Sequence, residues 1–234
     1  MAVILNLESS TEICSVALSY DGRLTDMLEN TEGMNHARLM SVYVQEIMQR
    51  NKLAFDKLSA IAVSKGPGSY TGLRIGVSLA KGLCYAHQIP LIAVSPLQSM
   101  SSNIIENRRR WNLPDSNDLV FCPMIDARRM EVYTALYDHQ NNEIEGVRSK
   151  IINENSFQDL LDQKPVAFFG NGSEKIRSLI THPNAFFIPD IKTSAQFMCT
   201  LSDKAFENKS FVNLAYFEPF YLKDFIAGIP KKTI

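Results

Sequence analysis

Residues 66–76 read Gly66-Pro67-Gly68-Ser69-Tyr70-Thr71-Gly72-Leu73-Arg74-Ile75-Gly76. The stretch follows an apolar run, Ala60 to Val63, that is typical of a buried strand, and it leads into a helical pattern that continues to about His87. A second apolar strand, Leu91 to Val94, comes next. Strand, turn, helix and strand in this order predict a right-handed crossover unit of an α/β sheet.

The glycine-rich turn permits two interpretations. Backbone N–H groups at a helix N-terminus can bind a phosphate, which makes Gly68, Ser69, Tyr70 and Thr71 candidate contacts, together with Glu8 after the first strand. The spacing fits neither a Walker A loop nor the dinucleotide fingerprint. The alternative is a tight strand-to-helix turn whose glycines serve backbone geometry and close packing. The sequence leaves both interpretations open.

The residues before this unit predict an antiparallel meander and a helix. Val3 to Leu7 and Ile13 to Tyr20 have the character of strands, and Asp21-Gly22 is a strong hairpin signal before a third strand, Arg23 to Leu28. From Ala37 to Arg50 apolar residues recur at helical spacing, which indicates an amphipathic helix.

The residues after it repeat this plan. A polar stretch from Arg108 to Asp118 marks a boundary. Beyond it we expect strands at Leu119 to Ile125, Met130 to Tyr137, Ile144 to Ile151 and Val166 to Phe169, and helices at Ser156 to Asp162, Glu174 to Ile180 and Ala195 to Glu207. We therefore predict an α/β fold with a two-lobed actin-like (ribonuclease H-like) architecture, in which mixed sheets are flanked by helices. The first lobe, 1–107, would carry the partner-binding helices, and the second lobe would be 108–234.

The helix after the glycine-rich turn is apolar on most sides, and small residues recur along it. Two glycines inside a helix cost about 1 kcal/mol each relative to alanine and need a reason. We expect the reason to be close approach by another helix and by a second protein, rather than packing within the chain alone. The predicted partner interface consists of His36, Leu39, Met40, Tyr43, Gly72, Arg74, Gly76 and Ala80.

Composition and charge exclude several classes of protein. The chain has 24 basic and 25 acidic residues, so it lacks the charge of an independent nucleic-acid binder, and any RNA contact would be local or shared with a partner. No apolar run is long enough for a bilayer and the N-terminus does not resemble a signal peptide, which predicts a cytoplasmic protein. Cys14, Cys84, Cys122 and Cys199 lie far apart among apolar neighbours and are expected to be core thiols.

The sequence predicts no catalytic and no metal-binding residue. Its four histidines form no pair at helical spacing and have no Glu-x-x-His companion. Ser69 sits in a turn, but the surrounding residues do not form a Gly-x-Ser-x-Gly elbow.

Two clusters of charge could contact RNA or a nucleotide phosphate. One is Asp126, Arg128, Arg129 and Glu131 at a predicted hairpin, and the other is Arg108-Arg109-Arg110 before Trp111. Solvated turns and helix ends are the more common explanation of such clusters, and we favour it for both.

The chain resembles the TsaB (YeaZ) family, partner proteins in the synthesis of threonylcarbamoyladenosine in tRNA, over nearly its whole length. The motifs that carry the resemblance are Ile4-Leu5-Asn6-Leu7-Glu8-Ser9-Ser10-Thr11, the glycine-rich stretch as far as Arg74, Asp126-Ala127-Arg128-Arg129 with Glu131-Val132-Tyr133, and Pro219-Phe220-Tyr221-Leu222-Lys223. One departure is Glu8, where relatives usually carry aspartate. The catalytic sister family, TsaD, has a His-x-x-x-His pair after the corresponding strand, where this chain has Pro96 and Met100.

The resemblance implies a non-catalytic scaffold that pairs with a TsaD-type catalytic subunit through the two helices. It also implies a TsaE-type ATPase partner, an ATP or ADP site at a complex interface with no cofactor on this chain alone, and tRNA contact only through the complex. A homodimer is possible when the chain is alone, and the choice between homodimer and monomer stays open. Two rivals remain: a metallopeptidase-like or small-molecule kinase-like enzyme of the same fold, and a simple homodimeric binding protein.

Overall fold

The structure, a computed structural model, describes residues 1–33 and 35–223. The first half contains β1 (Val3–Glu8), β2 (Cys14–Tyr20), β3 (Arg23–Asn30), α1 (His36–Arg50), β4 (Ala60–Ser64), α2 (Tyr70–His87) and β5 (Leu91–Val94). The second half contains α3 (Pro96–Glu106), β6 (Val120–Asp126), β7 (Glu131–Tyr137), β8 (Glu143–Ile151), α4 (Gln158–Leu161), β9 (Val166–Phe169), β10 (Ala185–Phe187) and α5 (Cys199–Glu207).

The two halves have the same sheet topology. The first sheet has the order β3-β2-β1-β4-β5, and the second has the order β8-β7-β6-β9-β10. In each sheet the central strand is antiparallel to one neighbour and parallel to the other, because a meander is followed by crossover connections. This duplicated plan confirms the predicted α/β fold with two actin-like lobes.

The hairpin and most strand predictions are confirmed. Asp21 and Gly22 both have positive φ angles, 45° and 73°, as a two-residue hairpin turn requires.

The four cysteines are buried and free, which confirms the core prediction, and burial raises the pKa of the Cys84 and Cys122 thiols to about 12.

Two of the expected helices differ from the structure, and two elements were not predicted. The helix expected at Glu174 to Ile180 is only a short 3-10 helix, Glu174–Ile176, and the α4 helix is shorter than the expected Ser156 to Asp162. Helix α3 and strand β10 were not expected at all. A signal for α3 was present, because Ser95 caps the helix through a hydrogen bond from the Gln98 N–H (3.4 Å) and proline follows the cap.

Helix packing crosses the predicted lobe boundary in both directions. Leu97 and Met100 of α3 belong to the core of the second sheet, although α3 precedes residue 107. Met198, just before α5, packs with Ile4 against the first sheet. The division into 1–107 and 108–234 stays a prediction. Residues 224–234 of the second range lie outside the described residues.

The first sheet is covered on both faces, and this positions the site described below. Leu5 and Leu7 of β1 pack with α1 and α2 on one face, whereas Ile4 faces Met198 on the other. Within residues 1–33 and 35–223, no helix combines the length and the apolar character needed to span a membrane.

Candidate functional site at the glycine-rich turn

The glycine-rich turn packs directly on the loop that joins β1 to β2. The Ser69 N–H donates to the Ser10 carbonyl oxygen (2.7 Å). A side chain at Gly68 would overlap that carbonyl, and one at Gly72 would overlap the carbonyl oxygen of Ser9. These glycines therefore serve close packing, which is the second of the two interpretations of the turn.

Residue Ser69 caps helix α2. Its Oγ accepts a hydrogen bond from the Gly72 N–H (3.3 Å), and its backbone is extended, as is usual for a capping residue. Carbonyl oxygens of the β1–β2 loop thus occupy the side of the turn that faces β1. The partial negative charge of these oxygens would repel a phosphate on that side. Of the predicted phosphate contacts in the turn, Gly68, Ser69 and Tyr70 are half-buried and only Thr71 is exposed.

The remaining predicted phosphate contact, Glu8, is completely buried. Its Oε1 accepts a hydrogen bond from the Ser10 N–H (2.6 Å), whereas its Oε2 has no partner among the described residues. Burial raises the pKa of this carboxyl above its usual range. In this structure the Glu8 side chain has no access to a ligand from solvent.

The small residues of α2 face the chain itself. Gly72, Gly76 and Ala80 are all buried, and a side chain at Gly76 would overlap the Ser9 hydroxyl. The β1–β2 loop and the first sheet cover these residues, so their small size is explained without a second protein, and their place in the partner interface stays a prediction.

Helix α1 divides the other predicted interface residues into two groups. His36 and Met40 are buried, and the His36 Nε2 lies 2.9 Å from the Ile13 carbonyl oxygen, so both have roles within the fold. Leu39 and Tyr43 are half-buried. Only this second group is available to a partner.

Helix α2 contributes further apolar residues that were not predicted as contacts. Ile75, Leu79 and Leu83 are half-buried on a helix that packs against α1. Their spacing of four residues was a signal that could have identified them. Together with Leu39 and Tyr43 they are called the α1–α2 face below.

The exposed Arg74 lies at the start of this face. Its guanidinium carbon is 4.2 Å from the centre of the Tyr70 ring, a cation–π arrangement. The Tyr70 ring in turn lies 4.8 Å from that of Tyr221. The motif near the C-terminus thus packs on the glycine-rich turn, where the Phe220 N–H also donates to the Lys65 carbonyl oxygen (2.7 Å).

The positions of the TsaD-type histidine pair are occupied by apolar residues with structural roles. Pro96 is in the first turn of α3, and Met100 is buried in the core of the second lobe. In the part of the chain that the structure describes, no three histidine, cysteine, aspartate or glutamate residues are grouped so that they could hold a metal ion.

Comparisons with known proteins agree with these features. A family model described as "TsaD: tRNA N6-adenosine threonylcarbamoyltransferase" matches residues 30–230. The "tRNA threonylcarbamoyladenosine biosynthesis protein TsaB" of Bacillus subtilis (strain 168) is 32% identical over 183 residues, which is 76% of this chain and 74% of that protein. A protein of the same name from Haemophilus influenzae is 35% identical over 130 residues, or 56% of this chain and 51% of the relative. That second match spans only about half of the relative.

A solved structure described as "YeaZ from Pseudomonas aeruginosa" superimposes with a TM-score of 0.79 at 26% identity, and the match covers 95% of this chain and 100% of that chain. The shared motifs, the shared fold and a TsaB relative aligned over about three quarters of both chains lead to one conclusion: this chain belongs to the TsaB (YeaZ) family.

Proposed function

We propose that this chain is a non-catalytic subunit in tRNA threonylcarbamoyladenosine biosynthesis, and that it pairs with a TsaD-type transferase through the α1–α2 face. The observation that carries the proposal is the set of half-buried apolar side chains on two adjacent helices. Apolar side chains that a monomer leaves partly in water are typical of surfaces that another protein covers.

The position of Arg74 is further evidence that the α1–α2 face binds a partner. A planar guanidinium stacked on an aromatic ring is held in one orientation, so it loses little freedom when it binds a carboxylate. Its position at the start of α2, beside the apolar residues, suits the polar rim of an interface.

Two features support a non-catalytic role: the residues at the positions of the TsaD-type histidine pair, and the burial of Glu8. Pro96 and the Met100 thioether do not replace imidazole as ligands of a hard or borderline cation. The carboxyl of Glu8 is sealed beneath the glycine-rich turn. Such a chain would bind the TsaD-type partner through its surface, and the partner would carry the catalytic residues.

The remaining parts of the proposal rest on the family. A TsaE-type ATPase would join the pair, and ATP or ADP would bind at an interface of the complex. The chain would contact tRNA only through the complex, and the complex would act in the cytoplasm. In isolation, the same apolar face would allow the chain to form a homodimer.

The test is pairing with a TsaD-type partner, measured by titration calorimetry. An aspartate at an interface centre would weaken pairing by roughly thirtyfold or more, equivalent to about 2 kcal/mol, because a charge would be buried there. We expect this for Ile75→Asp and no change for the matched control Ile151→Asp, whose residue is 74% exposed on β8. Equal affinity for the two variants, with both folded, would exclude the α1–α2 face.

Size-exclusion chromatography separates the homodimer rival. If the chain is only a self-pairing protein, adding the TsaD-type partner leaves its dimer intact. If it is a subunit, the dimer gives way to the mixed pair. Turnover of a peptide or a sugar by the purified chain alone would instead establish the enzyme rival.

A further inference from the structure

The turn between β6 and β7 presents two arginines that the proposed pairing does not use. Arg128 and Arg129 are exposed at its tip, and neither guanidinium lies within 4.0 Å of a carboxylate oxygen in the described part of the chain. Both have left-handed backbone angles, with φ of 68° and 48°. Non-glycine residues adopt this conformation at a cost, and such residues are common at functional sites.

The turn is held rigidly by a lysine beneath it. The Lys175 ammonium donates to the backbone carbonyl oxygens of Arg129 (2.8 Å) and Glu131 (2.6 Å), and it forms an ion pair with Asp126. The Asp126 carboxylate also accepts the Arg128 N–H (2.8 Å). The arginine backbones are therefore fixed before any ligand arrives.

The nearby acidic groups are already neutralised. Both oxygens of Glu131 are engaged, one by the Ser149 hydroxyl (2.8 Å) and the other by the Lys223 ammonium, and the hydrogen bond from Lys223 holds the pKa of this carboxyl below its usual range. Asp126 is paired with Lys175. Each carboxylate has its own lysine, so the positive charges of the two arginines remain uncompensated.

The shape and chemistry of the turn favour one class of ligand. The two arginines are exposed at the tip of a hairpin, whereas a free nucleotide is usually enclosed by a concave pocket. Adjacent arginines on a fixed backbone suit successive phosphates of a nucleic-acid strand. The half-buried Tyr133 next to the turn, whose ring lies 6.0 Å from the Lys223 ammonium, adds an aromatic surface of the type that RNA-binding proteins use.

We propose that Arg128 and Arg129 form a contact for the phosphate backbone of RNA, which gives a nearly neutral chain a local site for tRNA in the assembled complex. This inference rests on the proposed function, because it takes the tRNA of that pathway as the ligand. It also reverses the preference for a merely solvated turn that the sequence alone suggested.

The experiment measures binding of an unmodified tRNA transcript to the complex with the TsaD-type partner, over a series of salt concentrations. Arg128→Gln with Arg129→Gln removes two charges and keeps the side-chain length. The matched control is Arg23→Gln with Lys164→Gln, which removes two exposed positive charges from other parts of the chain. Binding of ADP to the same complexes forms a second arm.

We expect the Arg128/Arg129 variant to bind tRNA more weakly, with a slope of log affinity against log salt that is shallower by about 1.5, since each lost phosphate contact removes roughly 0.7–0.9. The control should keep the slope of the unaltered complex, and ADP binding should not change in either. Equal slopes for the two variants, or a loss of ADP binding without a loss of tRNA binding, would overturn the proposal.

Pairing with the partner is measured in the same samples without RNA. If the unaltered chain does not pair with the partner, the proposed function fails. In that case tRNA binding is measured for the unaltered chain alone and for the same two variants alone, and the same comparison of slopes decides this inference. If pairing is normal and the arginines make no difference to tRNA, this inference fails while the proposed function stands.

Discussion

The Cα of Gly76 lies so close to Ser9 that a methyl group at residue 76 would overlap the Ser9 hydroxyl and lie 3.6 Å from the Val63 side chain. Helix α2 thus touches the β1–β2 loop with its backbone, and Gly72 makes the same kind of approach one turn earlier. Close packing within the first lobe therefore explains Gly72 and Gly76.

A series of glycine-to-alanine substitutions in α2 should separate these contacts. Gly72→Ala forces the Ser9 backbone to move and should lower the free energy of unfolding by about 1–3 kcal/mol, as overpacking does. Gly76→Ala should cost less, because it meets a side chain that can rotate. Gly82, which has no atom within 4 Å of an added Cβ, is the control, and Gly82→Ala should stabilise by about 0.5–1 kcal/mol. Urea unfolding measures all three, and equal effects would contradict the packing.

Removing the N-cap of α2 should also destabilise the first lobe. Ser69→Ala leaves the Gly72 N–H without its acceptor, which typically costs about 0.5–2 kcal/mol. Thr71→Ala, an exposed residue in the first turn of the same helix, is the control and should change stability by less than about 0.5 kcal/mol. Thermal unfolding of both variants compares them, and a larger loss for Thr71→Ala would argue against this cap.

Much of the fold could be predicted because strand periodicity and turn residues are local signals. The strands Leu91–Val94 and Val166–Phe169 were placed at their observed bounds, and the Asp21-Gly22 turn was read directly. The exchange of α3 and α5 between lobes could not be predicted, since an amphipathic pattern shows that a helix has an apolar face but not which sheet covers it.

The contacts of the small residues could not be predicted, for a related physical reason. A small residue indicates a close approach, yet the sequence does not identify the approaching atom. Gly76 faces Ser9 of the same chain, whereas the prediction assigned it to a partner. Leu39 and Tyr43 were chosen together with the buried His36 and Met40, because the two pairs form adjacent stripes on one apolar helix face, and the sequence does not show where burial ends across that face.

The segment near the C-terminus should loosen when its contact with α2 is removed. The Lys81 ammonium donates to the carbonyl oxygens of Ala215 (3.3 Å) and Phe217 (3.0 Å). Lys81→Met keeps the apolar stem and removes both donors, so amides in residues 212–217 should exchange hydrogen faster, by an amount equivalent to about 1–2 kcal/mol.

The control for Lys81→Met is Lys204→Met, which replaces an exposed lysine of α5. It should leave exchange in residues 212–217 unchanged. If Lys81→Met also leaves it unchanged, the segment is held by its other contacts, such as the pairing of Val212 with Leu91.

The buried Glu8 carboxyl should make stability depend on pH. Burial raises its pKa in the folded protein above the value of 4.5 that it has when exposed, so the folded state holds this proton more tightly than the unfolded state does. The contribution of Glu8 to stability is therefore greatest below pH 4.5 and decreases as the pH rises toward the raised pKa. An acid whose pKa is lowered in the folded protein, for example by an ion pair, would have the opposite sign.

Glu8→Gln tests this sign, because glutamine resembles the protonated acid in shape and carries no charge. Its amide can also donate to the hydroxyls of Ser9 and Ser10, which have no partner among the described residues. Urea unfolding between pH 4 and 8 should show that the variant gains stability relative to the unaltered chain as the pH rises. Glu46→Gln, on the exposed side of α1, serves as the control and should follow the unaltered chain. A Glu8→Gln curve parallel to that of the unaltered chain would mean that Glu8 is not held in its protonated form.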